Sequence, residues 1–531
     1  MTKKCAGFFL VICLLLLIGN GSFALVAFAA DSEHFLDDKL VNWLRANVSP
    51  VTGLPLSYGF GAPPGDVLGR IGKSDSVTGI IERVMVKEGI SIYDAALWQI
   101  VLAHTGRAED LAMAAKPVEC YAKGSLGEFD DIRTGFGRQP FVYDPLDPQA
   151  VTLDLDHPGR RGFLFRFINA NGQFLSSDPL DGKKSFNGFP NYPAIHWEDW
   201  KPIAGENAWV VMAALHVLRS ASLDGKADTT SDAFHVAEEL ARAAMILQAD
   251  NGGVRMAPLG TYCHLVGVDP KLSPEQIVDR LDERARQLQR NPEFPGAAAV
   301  PPEYTRWYYD EISTENNFSW YAALRMLWQM TNDDKYRQAM GRIEDYLHAA
   351  WDPERGIFFQ GMHDHDGRWS PNREPFATDV QNWAIAVLGP ATIDAWFGRG
   401  AARRLWEQTK SFSGVVDAQG KLEGVGFTRE HDRVSVEWSA GAILAVRRLA
   451  EYLRVEDPAY ALALENQGRQ MRGALDVLRY HLPGGRDAYS YSSRRGWIPF
   501  GWFSHDKDVL STASTAWVAL VDAGIDPFEL R

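Results

Sequence analysis

Apolar and polar positions follow one repeated pattern along this chain, and it is clearest at residues 313–330. A polar cluster with Glu315 and Asn317 opens a strongly apolar segment whose large side chains recur at roughly helical spacing. Ser313 or Thr314 is suited to cap the first turn. The pattern predicts a buried helix whose polar end faces a site.

Five more segments share this pattern, each a small polar or acidic opening followed by an Ala-rich run too apolar for a surface helix. They open at Ser91, Gly205, Ala377, Val434 and Leu510. Between the apolar segments lie amphipathic ones that are charged on one face. These cover residues 35–48, 108–122, 232–248, 333–351, 391–412 and 458–481.

Two classes of helix need two environments, which an inner ring of six apolar helices inside an outer ring of six amphipathic helices provides. The repeat period is irregular, and this favours a closed ring over an open solenoid. We therefore predict an all-α fold, an (α/α)6 toroid of six helical hairpins. Short turns rich in Gly, Pro and Asp at residues 352–356, 417–420 and 483–485 mark hairpin corners.

Alternating outer and inner helices, with acidic and aromatic residues at the inner-helix starts, resemble the six-hairpin glycosidase-like superfamily of (α/α)6 toroids. The resemblance covers nearly the whole chain after the first 29 residues and rests on architecture, not on a family-defining catalytic motif. It implies a carbohydrate-active enzyme, and first of all a glycoside hydrolase.

The N-terminal residues have the order of a secretory signal peptide. Lys3 and Lys4 precede an apolar run at residues 8–18, and Ala27-Phe28-Ala29 offers a cleavage site. We predict that residues 1–29 are removed and that residues 30–531 form a single toroid domain, secreted or periplasmic. An uncleaved membrane anchor is the alternative. No later segment is apolar for long enough to cross a membrane.

Charge narrows the range of partners. Lys and Arg number 54 against 68 Asp and Glu, a formal net charge of −14, which disfavours nucleic acid and, less strongly, polyanionic polysaccharides. The expected partner is an oligo- or polysaccharide, with no cofactor. After signal removal Cys120 and Cys263 remain, either bridged or separate, and neither has metal-site spacing.

Two connections, residues 123–204 and 249–312, are far longer than the others, and loops of that length are usually functional. Both lead into inner-helix starts, so we expect them to cover the end where the inner helices begin. Acidic residues should converge at that end, which we call the mouth. They are Asp94, Glu206, Glu315, Asp379, Glu437 and the pair Asp506 and Asp508.

Facing carboxylates are what glycoside hydrolysis needs, because one donates a proton to the leaving oxygen while the other activates water. Glu315 is the predicted general acid. The resemblance implies Asp508 as its base if the chain follows glucoamylase-like toroids, and Glu206 with Asp379 if it follows cellulase-like ones; the choice stays open. The alternative for each carboxylate is a helix cap at the positive end of the helix dipole.

Substrate-binding candidates are the other mouth carboxylates, Asp94 and Glu437, together with loop aromatics and histidines. Tryptophans just inside the inner helices are expected to pack in the core. The loop candidates are Trp197, Trp200, Trp307, Trp502, His431 and His505. The segment His363-Asp-His-Asp366 is expected to be a hairpin tip, not a metal site.

Two further functions remain open on the same fold. A lyase or sugar epimerase would move a proton at a ring carbon with His431, His505, Tyr93 or Arg433. A non-catalytic saccharide-binding or envelope scaffold would use the toroid without chemistry.

Overall fold

Six mostly apolar helices form a closed inner ring. The computed structural model describes residues 35–50, 52–71, 77–125, 163–164, 166–169, 201–222, 228–259, 261, 263, 265–269, 271–289 and 302–530. The inner helices are α4 (Ile92–Ala103), α6 (Ala204–Ala221), α10 (Thr314–Thr331), α12 (Thr378–Trp383), α15 (Val436–Leu453) and α17 (Thr512–Asp522). Each packs on the next, and α17 packs on α4 to close the ring. A π-helical turn, Ala384–Leu388, extends α12.

An outer ring of amphipathic helices surrounds the inner one. It consists of α1 (Asp38–Ala46), α5 (Ala108–Ser125), α7 (Asp232–Ile246), α11 (Asp334–Ala349), α14 (Ala401–Ser413) and α16 (Pro458–Leu475). Each outer helix buries one apolar stripe against the inner ring, as α11 does with Tyr336, Ile343 and Leu347. The fold is an (α/α)6 toroid, so the predicted architecture is confirmed.

The fifth outer helix differs from its prediction. One helix was expected at residues 391–412, but the chain forms α13 (Pro390–Phe397) and α14 with a break between them. Gly398 and Gly400 have φ values of 92° and 79°, in the left-handed region that other residues avoid. These glycines end one helix and redirect the chain into the next.

Helices also occur where connections were expected. They are α2 (Pro64–Gly69) and α3 (Val77–Glu88) before the first inner helix, and α8 (Pro274–Gln289) and α9 (Pro302–Asp310) before the third. The connection at residues 249–312 is therefore partly helical, not a plain loop. Most of the connection at residues 123–204 lies outside the described residues.

Short antiparallel strands mark the hairpin corners and the mouth. The corner pairs are β5 (Trp351–Asp352) with β6 (Ile357–Phe358), β9 (Gly414–Val416) with β10 (Leu422–Val425), and β11 (Arg479–Leu482) with β12 (Arg486–Tyr489). These pairs confirm the corners predicted from the turn residues. Each corner returns the chain from an outer helix toward the next inner one.

The remaining strands lie around the inner-helix starts. They pair as β1 (Tyr58–Phe60) with β15 (Val509–Ser511), β2 (Gly89–Ser91) with β3 (Phe167–Asn169), β4 (Glu311–Ser313) with β7 (Gly361–Asp364) and β8 (Trp369–Asn372), and β13 (Trp497–Ile498) with β14 (Trp502–Phe503). Strands β2, β4 and β15 lead directly into α4, α10 and α17. They fix where those helices begin.

A buried polar side chain in the first turn of an inner helix holds the preceding corner. The Asn317 side chain accepts the Val254 N–H at 2.7 Å and donates to the Val254 carbonyl at 3.0 Å. Asn207 does the same to Leu164, and Gln381 to Phe358. These amides hydrogen-bond backbone N–H and C=O groups that have no partner on a neighbouring strand. They therefore join each corner to its helix.

We expect Asn317→Ala to destabilise the fold, because each buried backbone group left unsatisfied at Val254 costs about 1–3 kcal/mol. Denaturant unfolding would measure the loss. The control is Asn466→Ala, an exposed asparagine of α16, which should change stability by less than about 0.5 kcal/mol. Equal stabilities for the two variants would contradict the role of the Asn317 amide in holding the corner at Val254.

The last described segment, from Ile525 to Leu530, fills the centre of the ring below the mouth. Phe528 packs on Trp209, Trp383 and Trp517, with ring centroids 5.2, 5.5 and 5.9 Å apart. Asp526 pairs with Arg448 of α15. An aromatic layer therefore separates the mouth from the other end of the toroid.

Cys263 is a buried free thiol and so forms no disulfide; the Cys120 side chain lies outside the described part. Across the described ranges, no helix combines the length and the apolar character needed to span a bilayer.

Candidate functional site

Five carboxylates project from the first turns of five inner helices. They are Asp94 of α4, Glu206 of α6, Glu315 of α10, Asp379 of α12 and Glu437 of α15. Their charges act on one another: those of Asp379, Glu206 and Glu437 raise the pKa of Glu315, and that of Glu206 raises the pKa of Asp94. The mouth thus holds one group of carboxylates.

Serines, not carboxylates, cap three of the inner helices. Ser313, Ser435 and Ser511 are the N-cap residues of α10, α15 and α17, and each side chain accepts a backbone N–H from the first turn. Glu315 and Glu437 lie inside these caps and accept from side chains instead. The capping explanation therefore does not apply to these two residues.

Glu315 is the carboxyl whose environment most favours a bound proton. Desolvation raises its pKa well above the usual range, and the charge of Asp379 is the next cause. Its Oε1 accepts a hydrogen bond from the Ser319 hydroxyl at 3.1 Å. The side chain remains partly accessible to solvent, so a ligand in the mouth can reach it.

Asp379 begins the next helix of the ring and is the natural partner of Glu315. Burial raises its pKa to about 7, although the Val380 N–H donates to its Oδ1 at 2.8 Å and favours the charged form. Two neighbouring carboxyls that repel each other share protons unequally. A proton on Glu315 therefore favours an ionised Asp379.

Asp94 and Glu437 lie deeper, with exposed fractions of 7% and 6%. Burial raises the pKa of Asp94 to about 7 and that of Glu437 to about 8. The Tyr93 hydroxyl donates to Glu437 Oε1 at 2.5 Å and accepts from the Trp517 indole N–H at 2.9 Å. Because the Tyr93 oxygen accepts the indole N–H, its own hydrogen is directed at Glu437. Tyr93 therefore holds the Glu437 carboxyl in one orientation.

Glu206 differs from the other four because a cation accompanies it. The Arg166 guanidinium lies 3.2 Å from Glu206 Oε1, and its charge also lowers the pKa of Asp94. An ion-paired carboxylate is a poor choice for a proton donor. The geometry brings Glu206 to the mouth but favours Glu315 over it as acid.

Helices α6 and α10 approach closely at Gly205. A Cβ there would lie 2.1 Å from the end of the Asn316 side-chain amide. With its nitrogen toward Glu315, the Asn316 amide donates to Glu315 Oε2 at 2.5 Å, and its oxygen accepts the Gly205 N–H at 3.3 Å. Glycine is thus required for the contact that orients Glu315.

The raised pKa values predict that the carboxylate group lowers stability as pH rises. An acid whose folded pKa exceeds its unfolded one binds more protons when folded, so stability falls between the two values. For Glu437 this window runs from 4.5 to about 8. We expect Glu437→Gln to be more stable than the parent at pH 7, on the order of 3 kcal/mol.

Below pH 4 the Glu437→Gln advantage should vanish, because Glu437 is then protonated in both states. Thermal unfolding at pH 4 and pH 7 would measure both values. A variant less stable than the parent at pH 7 would contradict the buried, proton-binding environment.

The structure does not bring Asp506 and Asp508 into the carboxylate group. Both lie before β15 and pair with Arg70, at 3.2 Å for Asp506 and 2.5 Å for Asp508. The Tyr480 hydroxyl also donates to Asp508 Oδ1 at 2.5 Å. Asp508 thus has a cation and a phenol as partners.

The histidine and arginine candidates also differ in whether they lie beside the mouth. His431 is exposed and its Nδ1 lies 2.8 Å from the Gly414 carbonyl, at a hairpin corner. Arg433 is buried, pairs with Glu430 and donates to the Ser504 hydroxyl and the Trp497 carbonyl. Both serve the surrounding loops.

His505, in contrast, lies beside the mouth. Its Nδ1 is 3.0 Å from Glu82 Oε1, and its ring packs on Tyr58 and Tyr491 at centroid distances of 4.7 and 5.7 Å. Burial raises the pKa of both tyrosines, and the charge of Glu437 adds to the rise. Burial would raise the pKa of Glu82, but hydrogen bonds from Arg495 and His505 hold it at about 2.

The aromatic candidates also differ in how far their side chains are exposed to solvent. Trp307 is 41% exposed, and partly buried Trp502 donates its indole N–H to the Tyr491 hydroxyl at 3.1 Å. Trp197 and Trp200 lie outside the described residues. The inner-helix tryptophans are buried, which confirms their predicted packing role: Trp98, Trp209, Trp320, Trp383, Trp438 and Trp517.

The segment at residues 363–366 runs from the end of β7 into the turn that leads to β8, as predicted for a hairpin tip. Asp366 and Gly367 adopt left-handed conformations there, with φ values of 53° and 84°. His363 Nδ1 lies 2.9 Å from Glu311. Within the described ranges, no three His, Cys, Asp or Glu side chains converge as metal ligands.

Two site residues carried no recognisable signal in the sequence. Arg166 follows an aromatic segment and approaches Glu206 only in the folded chain, and Glu82 lies on α3, a helix that was not predicted. Charge balance was the only available clue, since a group of carboxylates needs cations nearby. It does not single out these residues.

Comparison with known proteins finds relatives by structure only. No family model and no curated protein matches the sequence. A structure of an inactive α-1,6-mannanase variant from Salegentibacter sp. HEL1_6 with α-1,6-mannotetrose aligns at 10% identity over 93% of this chain and 98% of the mannanase, with a TM-score of 0.42.

Two other enzymes give similar alignments. Unsaturated glucuronyl hydrolase from Bacillus sp. GL1 aligns at 11% identity over 81% of this chain and 85% of its own, with a TM-score of 0.45. Cellobiose 2-epimerase from Spirochaeta thermophila aligns at 13% over 92% and 94%, with a TM-score of 0.48. These alignments record a likeness of fold and say nothing about the reaction of this chain.

Proposed function

We propose that this chain is a glycoside hydrolase that acts on a neutral oligo- or polysaccharide at the mouth of the toroid. The observation that carries this is the pair formed by Glu315 and Asp379. One carboxyl has a strongly raised pKa, and its neighbour on the next helix is the charge that raises it most after desolvation. Paired carboxyls with different proton affinities supply an acid and a base.

In the proposed reaction Glu315 transfers its proton to the glycosidic oxygen as the bond from that oxygen to the anomeric carbon breaks. The bonding electrons leave with the oxygen, and positive charge develops on the sugar ring. Asp379 removes a proton from the water that attacks the anomeric carbon. After the reaction Glu315 is ionised and Asp379 is protonated. Proton exchange with solvent restores the starting state of both carboxyls.

A neutral sugar suits the charge of the mouth. Five carboxylates are accompanied by Arg166, which is already engaged by Glu206. An acidic sugar would add repulsion, whereas hydroxyl groups can donate hydrogen bonds to the carboxylate oxygens. Export through the predicted signal peptide would place this activity outside the cytoplasm.

The direct test is a glycan panel incubated with the purified mature protein, with separation and detection of products. Release of shorter neutral saccharides from at least one glycan supports the proposal. Products that absorb in the near ultraviolet would indicate a lyase, and an unchanged chain length with a changed sugar would indicate an epimerase. A panel with no product of any kind would favour a binding scaffold.

A sugar epimerase is the second candidate because of His505. The anionic partner Glu82 favours an Nδ1–H on His505, which leaves Nε2 as a proton acceptor beside Tyr58 and Tyr491. Proton exchange at a sugar carbon, detected in deuterated water, would identify this chemistry. His505→Asn should abolish it, whereas a hydrolase should retain most of its activity.

A further inference from the structure

Trp307 is an exception among the tryptophans. It is the most exposed tryptophan in the described part of the chain, at 41%. Tryptophan carries a large apolar surface, so leaving it in water is unfavourable unless something covers it. The side chain belongs to α9, which leads into β4 and from there into the helix that carries Glu315.

The exposed indole is supported from one side. Its ring lies against His363, with centroids 4.4 Å apart and planes 36° apart. His363 Nδ1 is 2.9 Å from Glu311 Oε2, and the Asn372 amide donates to the other oxygen of Glu311. Since His363 and Glu311 are paired residues of adjacent strands, the support is a sheet and not a mobile loop.

The position of this indole is tied to the proposed acid. Glu311 precedes Glu315 by four residues, and β4 between α9 and α10 has three. A three-residue strand spans about 10 Å, and this strand separates the helix of Trp307 from the helix of Glu315. One sugar ring does not bridge the two places, whereas a chain of several does.

We infer that Trp307, backed by His363, is a stacking subsite for a sugar unit remote from the bond that is cleaved. The inference rests on the proposed function and deepens it: the substrate is an oligo- or polysaccharide that extends across β4, not a disaccharide. The apolar face of a pyranose ring would cover the free face of the indole. Because the ring is already held, little conformational freedom is lost on binding.

The test uses binding, so that it does not depend on turnover. In a Glu315→Gln background, Trp307→Ala and the parent would be titrated with cello-, laminari- and α-1,6-manno-oligosaccharides, each as disaccharide and hexasaccharide. For the ladder that binds, we expect about 3- to 10-fold weaker hexasaccharide binding and unchanged disaccharide binding. Trp307→Phe should recover most of the loss.

The matched control is Tyr452→Ala, which removes an aromatic of similar exposure, 37%, from the last turn of α15, at the end of the inner ring remote from the mouth. It should leave both affinities unchanged. The subsite would be overturned if Trp307→Ala weakened disaccharide and hexasaccharide binding equally, or weakened neither. An equal loss of hexasaccharide affinity in Tyr452→Ala would also overturn it. Length-dependent binding without hydrolysis would retain the subsite and reject the hydrolase.

Discussion

Glu315→Gln is expected to lose roughly 10²- to 10⁴-fold in turnover on the natural glycan while the fold and saccharide binding stay nearly intact. The amide keeps the shape of the side chain and an acceptor for the Ser319 hydroxyl, but it has no proton to give. Steady-state kinetics on the glycan identified by the panel would measure the loss. Denaturant unfolding would show that the variant is folded.

A substrate with an activated leaving group makes the Glu315 test specific. Such a group departs without protonation, so Glu315→Gln should largely spare it. Glu456→Gln, an exposed glutamate paired with Arg399, is the matched control and should leave both substrates unaffected. Near-normal turnover of Glu315→Gln on the natural glycan would reject the acid, and Glu206 would become the candidate.

Asp379→Asn is expected to slow the natural and the activated substrate alike, by a similar 10²- to 10⁴-fold, because both need the water to be activated. A second effect follows from the charges. The carboxylate of Asp379 raises the pKa of Glu315, so its removal should lower that pKa. The alkaline limb of kcat/KM should therefore move to lower pH in the residual activity.

The control for Asp379→Asn is Asp334→Asn, an exposed aspartate in the first turn of α11. It should change neither rate nor pH profile. If Asp379→Asn spares the activated substrate, Asp379 is not the base. If it slows both substrates but leaves the alkaline limb in place, the two carboxyls do not share their protons as proposed.

The ring architecture was predictable because two classes of apolar periodicity recur through the chain. Apolar helices such as α10 and striped helices such as α11 need inner and outer positions. The division of the fifth outer helix was not predictable from periodicity, because the apolar positions continue across the break. Two glycines of left-handed conformation, Gly398 and Gly400, interrupt it.

Five of the predicted carboxylates lie in the first turns of inner helices, but the partners of the candidate residues were not predictable. Asp508 lies shortly before an inner helix in the sequence, where a base was expected. Arg70, 438 residues away along the chain, binds it instead. The buried amides of Asn207 and Asn317 hold backbone groups of preceding segments, at Leu164 and Val254. Such pairings depend on tertiary contacts that a local pattern does not contain.

The closure of the ring determines when the mouth can exist during folding. The Asn47 amide bonds the Thr512 hydroxyl across 465 residues, and the Trp517 indole reaches Tyr93 across 424. Such long-range contacts form late, because a long loop must close before they contribute. A nascent chain that ends before α17 already contains all five mouth carboxylates, but the Trp517 indole that occupies the Tyr93 hydroxyl is missing. Synthesis of α17 should therefore be the step at which Glu437 acquires its fixed orientation.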